Sequence, residues 1–426
     1  MQPIRFILIG AGDRGTSYVK LGKQRFGDAF LLVGVADPDP IRRNYIKKEF
    51  GLSDSQCYTC WTEILGVEKM ADIAIIATQD NMHFSPAMKA ISMGYHLLLE
   101  KPAATTPEQC MEIQDAAHKA NVCVMVCHVL RFSPFFRLLK RLIDEGAIGK
   151  VINIVHVEAV GNIHQSHSYV RGDWRDSHSS SPMIVAKCCH DVDIVQWLLG
   201  KKCVSVQSFG SLSYFNRENL PPNAPTFCTD GCPYETECPY STLKIYKKRA
   251  FPAFVKTATS IPNATDEDIA YTITQTGYGR CVFQCDNNVV DHQVVNLLYD
   301  GGETVSLTMS AFNEGGREIR IMGTKGELSG YMRENCVTLF DFATRSKKTI
   351  SIQEDVPAEG IEGGHGGGDL GIVEFLCRNF ADGNLPDVSE AIENHLVAFA
   401  AEKSRCTGEV VHMKDFMEKQ SVGLKM

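Results

Sequence analysis

The sequence predicts an α/β protein that opens with a doubly wound parallel sheet, and three observations carry that prediction. Short, nearly continuous apolar runs alternate with helix-like stretches through the first 130 residues, as strands covered on both faces should. The first of these runs passes directly into a glycine pattern. A chain of 426 residues, 44% of them apolar, also exceeds what one hydrophobic core usually organises, so two domains are expected, at residues 1–130 and 131–426.

Ile4 to Ile9 reads as the first buried strand, Gly10-Ala11-Gly12-Asp13-Arg14-Gly15 as the turn, and Thr16 to Phe26 as the helix that follows. In that order the glycines have separate tasks: Gly10 permits the tight turn, Gly12 lets a pyrophosphate approach the backbone, and Gly15 lets the helix pack against the strand. Asp13 and Arg14 lie between them as further candidate contacts. The second run, "FLLVGVAD", ends at Asp37, 22 residues beyond Gly15, where a carboxylate can accept hydrogen bonds from both ribose hydroxyls. This is a dinucleotide-binding signature of the Rossmann type. Asp37 favours NAD, while Arg42 and Arg43 leave NADP possible.

The alternation continues through "DIAIIAT" (Asp72 to Thr78), a helix from about Ser85 to Met93, "HLLLEKP" (His96 to Pro102), a helix from Pro107 to Ala120, and "VCVMVCHVL" (Val122 to Leu130). Ligands of such sheets lie beyond the carboxyl ends of the strands. Thr78, His83, Glu100, Lys101, His128 and Arg131 are therefore expected near one edge.

Beyond residue 130 the signals change. "GRCVFQCDNNVVDHQVVNLLYDGGETVSLTMSAF" alternates apolar and polar residues around a "DGGE" turn, as paired antiparallel strands should. Asp291, His292 and Gln293 within it would bind substrate on one sheet face, or form an oligomer contact or a solvated edge on the other. Cys228, Cys232 and Cys238 lie in a Pro-rich insertion at about residues 221–250. With a fourth ligand they would make a structural zinc site, but the spacing is not that of a standard finger, and packed thiols are the preferred reading. No metal is expected. "EGGHGGGD" reads as a mobile loop before a helix from Leu370 to Phe380, with His365 a lid candidate.

Composition narrows the partners. A net charge of −8 and no Lys/Arg-rich run exclude a polyanion footprint, so a small molecule is expected rather than nucleic acid. No apolar run approaches a membrane span, and the first residues lack a signal-peptide pattern, which predicts a cytoplasmic protein. Sixteen scattered cysteines fit reduced thiols rather than a disulfide framework.

With Gly10-x-Gly12-x-x-Gly15, Asp37, "ATQDNMH" (Ala77 to His83) and "EKP" (Glu100 to Pro102) in this order, the chain resembles the glucose-fructose oxidoreductase, inositol dehydrogenase and MocA family. "HDVDIVQWLLG" (His190 to Gly200) and "RIMGTKGELSG" (Arg320 to Gly330) extend the resemblance, while "KCCHD" and "HGGGD" point to a less characterised clade within it. Membership implies a second domain with an open, mostly antiparallel sheet, one face of which often makes dimer or tetramer contacts. It further implies NAD(H) or NADP(H), and sugars, polyols or their derivatives as substrates.

By the same resemblance, Lys101 sits between nicotinamide and substrate, Pro102 follows a cis peptide bond, Glu100 is a cofactor-side neighbour, and His190 is the active-site histidine. The carboxylate that usually stands four residues before that histidine is absent. Ala186 occupies its place and Lys187 follows. His190 is the expected base, with an intrinsic pKa near ~6.5, and Lys101 polarises the reacting oxygen, unless Lys187 depresses Lys101 enough to make it the base. Asp191 and Asp193 are capping residues, or one of them, Asp191, reaches substrate. "VRGDWRDSHSSSP" (Val170 to Pro182) is a polar loop whose Trp174, Arg175 and His178 are candidates to close over a sugar. His128 and Arg131 are candidate substrate contacts, with an acid-paired, domain-tying arginine as the alternative.

Three functions are compatible with this reading. The first is an NAD-dependent dehydrogenase acting on a secondary hydroxyl of a sugar, inositol or glycoside. The second is an NAD-dependent glycoside hydrolase or lyase that works through transient oxidation. The third is a non-catalytic sugar or cofactor sensor, against which the retained Lys101 and His190 argue.

Overall fold

The computed structural model describes residues 3–261, 263–354 and 364–423. Two sheets organise it. The first contains β1 (Ile4–Ile9), β2 (Phe30–Ala36), β3 (Cys57–Tyr58), β4 (Ile73–Ile76), β5 (His96–Leu99) and β6 (Val124–Val126), all parallel, in the order β3-β2-β1-β4-β5-β6. That is the Rossmann order, with its reversal of direction between β1 and β4.

The second sheet contains β7 (Val151–Ala159), β8 (Cys203–Ser211), β9 (His292–Tyr299), β10 (Thr304–Ser310), β11 (Gly316–Gly323), β12 (Gly326–Tyr331), β13 (Cys336–Asp341), β14 (Lys347–Ser351) and β15 (Val411–His412). Their order is β14-β13-β12-β11-β7-β10-β9-β8-β15, and only β7 and β10 run parallel. Along β7, Ile154, His156 and Glu158 are buried on the inner face while Ile152 and Val155 are exposed on the outer one. The alternation of a half-covered sheet thus aims two ionisable side chains inward.

The helix Cys189–Leu199 lies against the inner face of this sheet, and the helix Ser389–Thr407 packs on it and on β8. The chain then departs from a simple division at residue 130. The helix Gly368–Asp382 buries Ile372, Val373, Leu376 and Cys377 against Phe6, Leu8 and Ile75 of the first sheet, so a late segment returns to complete the early core.

Several local expectations shift. The first helix begins at Asp13 rather than Thr16, with Asp13 placed where the helix dipole favours a carboxylate. The sixth strand is confined to Val124–Val126, because the His128 N–H turns back to the Val126 carbonyl at 2.7 Å and the backbone continues as a tight turn over Val129–Phe132. The polar segment at residues 170–182 is entered through a buried, widened helical turn, Gln165–Arg171, instead of an open loop. Of "EGGHGGGD", Glu362 and Gly363 lie outside the described residues. The remainder is ordered by contact, since a Cβ on Gly368 would stand 2.3 Å from the Val129 carbonyl oxygen, and the helix starts there, before Leu370.

All sixteen cysteines are free. Cys238 packs with Cys281 and Cys285 among Phe215, Tyr240 and Phe283, and burial raises the Cys238 and Cys281 thiols. No described helix is long and apolar enough to cross a membrane.

Candidate active site

The crevice beyond the carboxyl ends of β1 and β4 begins at the glycine turn. Gly10 has φ +91°, and a Cβ there would lie 2.5 Å from the Ala77 carbonyl oxygen; one on Gly15 would lie 2.1 Å from the Gly10 oxygen. Both positions are closed to any other residue. Gly12 differs, for its nearest non-local atom is Arg42 Nη1 at 3.8 Å, so open space stands over its backbone. Asp37 completes the cradle, accepting the Ala11 N–H at 2.7 Å and the Asp39 N–H at 2.8 Å. Each oxygen keeps a further lone pair for a ribose hydroxyl. Arg43 is folded back on the Asp37 carbonyl, and Arg42 donates to Ser260 at 2.7 Å. The residues present therefore fit a dinucleotide with a free 2′-hydroxyl.

Two loop residues expected at the cofactor have other partners. The Asp13 carboxylate meets Lys256 at 2.5 Å and Thr257 at 3.2 Å, both on the helix Pro252–Thr259. Arg14 turns away from the cradle to donate to Glu100 Oε1 at 2.8 Å and, in bidentate fashion, to Asp369 at 2.7 and 2.9 Å. Two buried carboxylates outcompete solvent for that guanidinium.

Glu100 also accepts the Tyr18 hydroxyl at 2.6 Å and the Lys101 N–H at 2.9 Å. Burial alone would raise its pKa, but Arg14 and Lys101 hold the carboxyl below the usual range. The Lys101–Pro102 bond is cis. Lys101 Nζ crosses to the second half of the chain and donates to the Ala186 carbonyl at 2.7 Å, so the backbone takes the place of the missing side-chain carboxylate. His83 binds inward, its two ring nitrogens 2.7 and 3.0 Å from the Pro102 and Thr78 carbonyl oxygens. It braces the two strand ends and is corrected from ligand contact to support. Thr78 donates its own hydroxyl to the Met82 carbonyl at 3.1 Å.

His190 lies beside Lys101 at the start of its helix, 3% exposed, with Nδ1 buried and without a hydrogen-bond partner. Burial first, then Lys101, His365 and Arg317, push its pKa well below the ordinary value, so the imidazole is neutral. Lys187 meets Glu158 at 3.3 Å, and Arg317 Nη2 meets the same carboxylate at 2.7 Å. Arg317 Nε in turn donates to Asp191 Oδ1 at 2.8 Å, which His156 Nε2 approaches at 2.8 Å from the other side. Asp191 is thereby corrected from substrate contact to the anchor of a buried charge network. Lys187 stands against a carboxylate and not as a second free cation.

Arg131 resolves to its alternative. It donates to Asp193 at 2.6 and 2.7 Å and to Glu390 at 3.0 and 3.1 Å, tying the end of the first sheet to two later helices. His128 Nδ1 meets Asp193 at 2.5 Å, and its ring stacks on His395 at 5.1 Å, so it too belongs to this tie. His128, Cys189 and His395 are the described residues whose ligand atoms come close enough to hold a metal ion. His395 is already committed, with Nε2 accepting from the Ala103 N–H at 3.1 Å and Nδ1 facing the Ala391 carbonyl at 2.7 Å.

The 172–182 loop divides. Trp174 Nε1 donates to Asp80 at 3.0 Å and Ser180 to the same carboxylate at 2.9 Å, docking the loop on the segment that follows β4 and setting the Trp174 ring 6.2 Å from that of Tyr169. Arg175 pairs outward with Asp286 at 2.9 Å, and His178 is exposed, so both are corrected away from the centre. Of the DHQ run, Asp291 caps the Ser213 and Tyr214 N–H groups, Gln293 is buried against Ser208, and His292 faces the open side of the sheet.

Sequence reading missed Glu158, His164, Tyr169 and Arg317. Burial first, then Lys187, His167 and Lys101, depress the His164 pKa, and its ring stacks on Phe254 at 5.6 Å. Glu158 and His156, two ionisable residues at inward positions of a mostly apolar strand, were the one available signal.

Comparison with known proteins gives the following. Residues 4–128 match the family model described as oxidoreductase family, NAD-binding Rossmann fold, and residues 140–413 match the model of the same family's C-terminal alpha/beta domain. The Bacillus subtilis protein YteT is 29% identical over 390 residues, covering 87% of each chain. The 2,7-anhydro-N-acetylneuraminate hydratase of Escherichia coli is 30% identical over 142 residues, 33% of this chain and 37% of that one. Levoglucosan dehydrogenase, solved with NADH and L-sorbose, superposes with a TM-score of 0.71 over 97% of this chain and 99% of its own, at 18% identity, a likeness of fold.

Proposed function

Because the chain belongs to the Gfo/Idh/MocA oxidoreductase family and carries its NAD-binding Rossmann domain, we propose that it oxidises a secondary hydroxyl of a sugar, polyol or glycoside in the cytoplasm. The observation that supports this reading is that Lys101, following β5 of the sheet that carries Gly12 and Asp37, comes close enough to His190 to lower its pKa. Bound there, NAD supplies the hydride acceptor.

The remaining work falls to the chain. Lys101, held by the Ala186 carbonyl, presents a cation to the substrate oxygen and stabilises the charge that develops as its proton leaves. His190, kept neutral by burial and nearby cations, accepts that proton. Trp174 and Tyr169 offer apolar ring faces to a sugar, and Lys187 with Glu158 offers donor and acceptor to its hydroxyls. With Arg42 and Arg43 both engaged, NAD is preferred over NADP.

A screen of sugars, inositols and glycosides with each nucleotide, followed by nicotinamide absorbance and product mass together, tests the reading. Stoichiometric NADH and a product two mass units lighter are expected; binding of neither nucleotide would overturn it. A second reading, glycoside cleavage through transient oxidation with no net redox change, is favoured by the relative named as a hydratase. It would give product with catalytic NAD and solvent-proton exchange.

The outer sheet face exposes Ile152, Val155, Val204, Phe209 and Leu298, a patch suited to a homodimer or homotetramer. Light scattering of the purified protein tests this, and a monomer at micromolar concentration would refute it.

A further inference from the structure

The "HGGGD" segment has no role in the reading above, yet it enters the site. His365 adopts φ +55°, unusual outside glycine, and is flanked by Gly366 and Gly367 at φ +61° and +90°. Gly368 is jammed against Val129. This turn sets the His365 ring beside that of His190, with centroids 5.5 Å apart. Asp369, one turn on, lies 3.0 Å from His365 Nδ1 and is itself fixed by both Arg14 nitrogens. An acceptor at Nδ1 fixes the tautomer: Nδ1 carries the proton, and Nε2 keeps its lone pair.

His190 needs such a neighbour. Each oxidation in the proposed reaction breaks one C–H and one O–H bond, passes two electrons and a proton as hydride to NAD, forms a carbonyl, and leaves one proton to be released. His190 is 3% exposed and has no carboxylate on the preceding turn, since Ala186 stands there. The acids on its own helix are turned away, Asp191 onto Arg317 and His156, Asp193 onto Arg131 and His128. Lys101 and Arg317 also face it, and both lower its pKa. The His128 ring is 6.2 Å away, but it is buried, 3% exposed and paired with Asp193, so it offers no route to water. The His365 side chain is 29% exposed, so it adjoins both His190 and water.

We propose that His365, oriented by Asp369, is a proton-relay residue that takes the substrate's hydroxyl proton from His190 and delivers it to solvent. The proposal rests on the reading of Lys101 and His190 given above. An imidazole paired with a carboxylate that is in turn held by a third group is the arrangement proton-transfer catalysts use. His365 is faced by Asp369 and Arg14 on one side and by His190 and Arg317 on the other. Burial lowers its pKa and Asp369 opposes that lowering.

The test uses the full chain. His365→Gln is expected to lower kcat about 100-fold, to leave NAD affinity by calorimetry within threefold, and to regain at least tenfold activity with added imidazole. Histidine-selective 15N NMR of the protein without nucleotide is expected to show His365 as the Nδ1–H tautomer, and Asp369→Asn is expected to abolish that preference. A His365→Gln enzyme with kcat within threefold of the parent would overturn the relay, as would a loss that imidazole does not rescue, or an Nε2–H tautomer. If the unaltered protein oxidises nothing in the substrate screen, the parent reading falls as well, whereas activity that survives His365→Gln removes only the relay.

Discussion

The helix bearing His190 stands between two arginine–carboxylate assemblies that use the same chemistry to different ends. On one side Asp193 receives Arg131 twice, Asn394 at 2.6 Å and His128 at 2.5 Å, and Glu390 takes the rest of the guanidinium. In that assembly the Asp193 carboxylate and the Arg131 guanidinium are each held by several partners, and it joins the first sheet to the helices of the second half. On the other side Arg317 bridges Asp191 and Glu158, and Glu158 continues to Lys187, which is 14% exposed toward the crevice. Pairing closes the first assembly, while the second ends on a group with capacity to meet a ligand. A three-residue spacing in "HDVD" therefore yields one side chain beside Lys101 and two anchors, decided by which neighbour each rotation of the helix meets.

The largest effect expected is at the chemical centre between them. Lys101→Ala should lower kcat about 1,000-fold, in the range seen on removing a group that stabilises developing negative charge, with the NAD dissociation constant changed less than threefold by calorimetry. A modest loss would mean that the second assembly, through Lys187, supplies the polarising cation.

Breaking either assembly should destabilise the protein similarly but not affect turnover similarly. Arg131→Met removes the arginine from buried Asp193, and Arg317→Met removes it from buried Asp191 and Glu158; each should cost about 3–5 kcal/mol in urea unfolding. Measured at a temperature where both remain folded, Arg317→Met should reduce kcat/KM tenfold or more, and Arg131→Met less than threefold. Equal catalytic losses would erase the contrast.

Acid sensitivity sharpens it from another direction. His167 and His395 are pushed down to about 3, and His190 well below its ordinary value, chiefly by burial. In the unfolded chain each titrates near ~6.5. Their folded pKa values are depressed, so the unfolded state binds protons that the folded state does not, and stability must fall as pH drops below about 6.5 and keep falling toward about 3. The slope is at most ~1.4 kcal/mol per histidine per pH unit. Unfolding midpoints at pH 7.5 and 5.5 should already differ; equal midpoints would show that these histidines are hydrated.

The smallest effect is expected outside both assemblies. His178→Ala should change kcat/KM less than twofold and stability by no more than about 0.5 kcal/mol, since the side chain is exposed. A tenfold loss would return the loop tip to the site.

The first sheet was legible because its cues are local. All its strands but the two-residue β3, which the sequence did not announce, are contiguous apolar runs, and the glycine turn and Asp37 lie within one β-α-β unit whose geometry repeats wherever the pattern occurs. The second half was legible as antiparallel pairing around "DGGE", formed by β9 and β10, but not as a site. Glu158 and Arg317 reach His190 only because β7 and β11 pair with Glu158 opposite Arg317. Nothing within either strand announces that register. Arg14, Arg131 and Asp191 look alike as free polar residues near motifs, and their partners are 355, 62 and 126 positions away.

The sequence by itself determined the nucleotide cradle, because steric limits on glycine and the reach of one carboxylate act over a few bonds. It also singled out Lys101 and His190, which the fold brings together, through motifs fixed to strand and helix ends. Only the tertiary structure decided which charges are free to act. A buried ionisable group is defined by the partner that removes it from water, and for Asp191, Arg131 and His365 that partner comes from a different part of the chain or from a backbone turn no local pattern specifies.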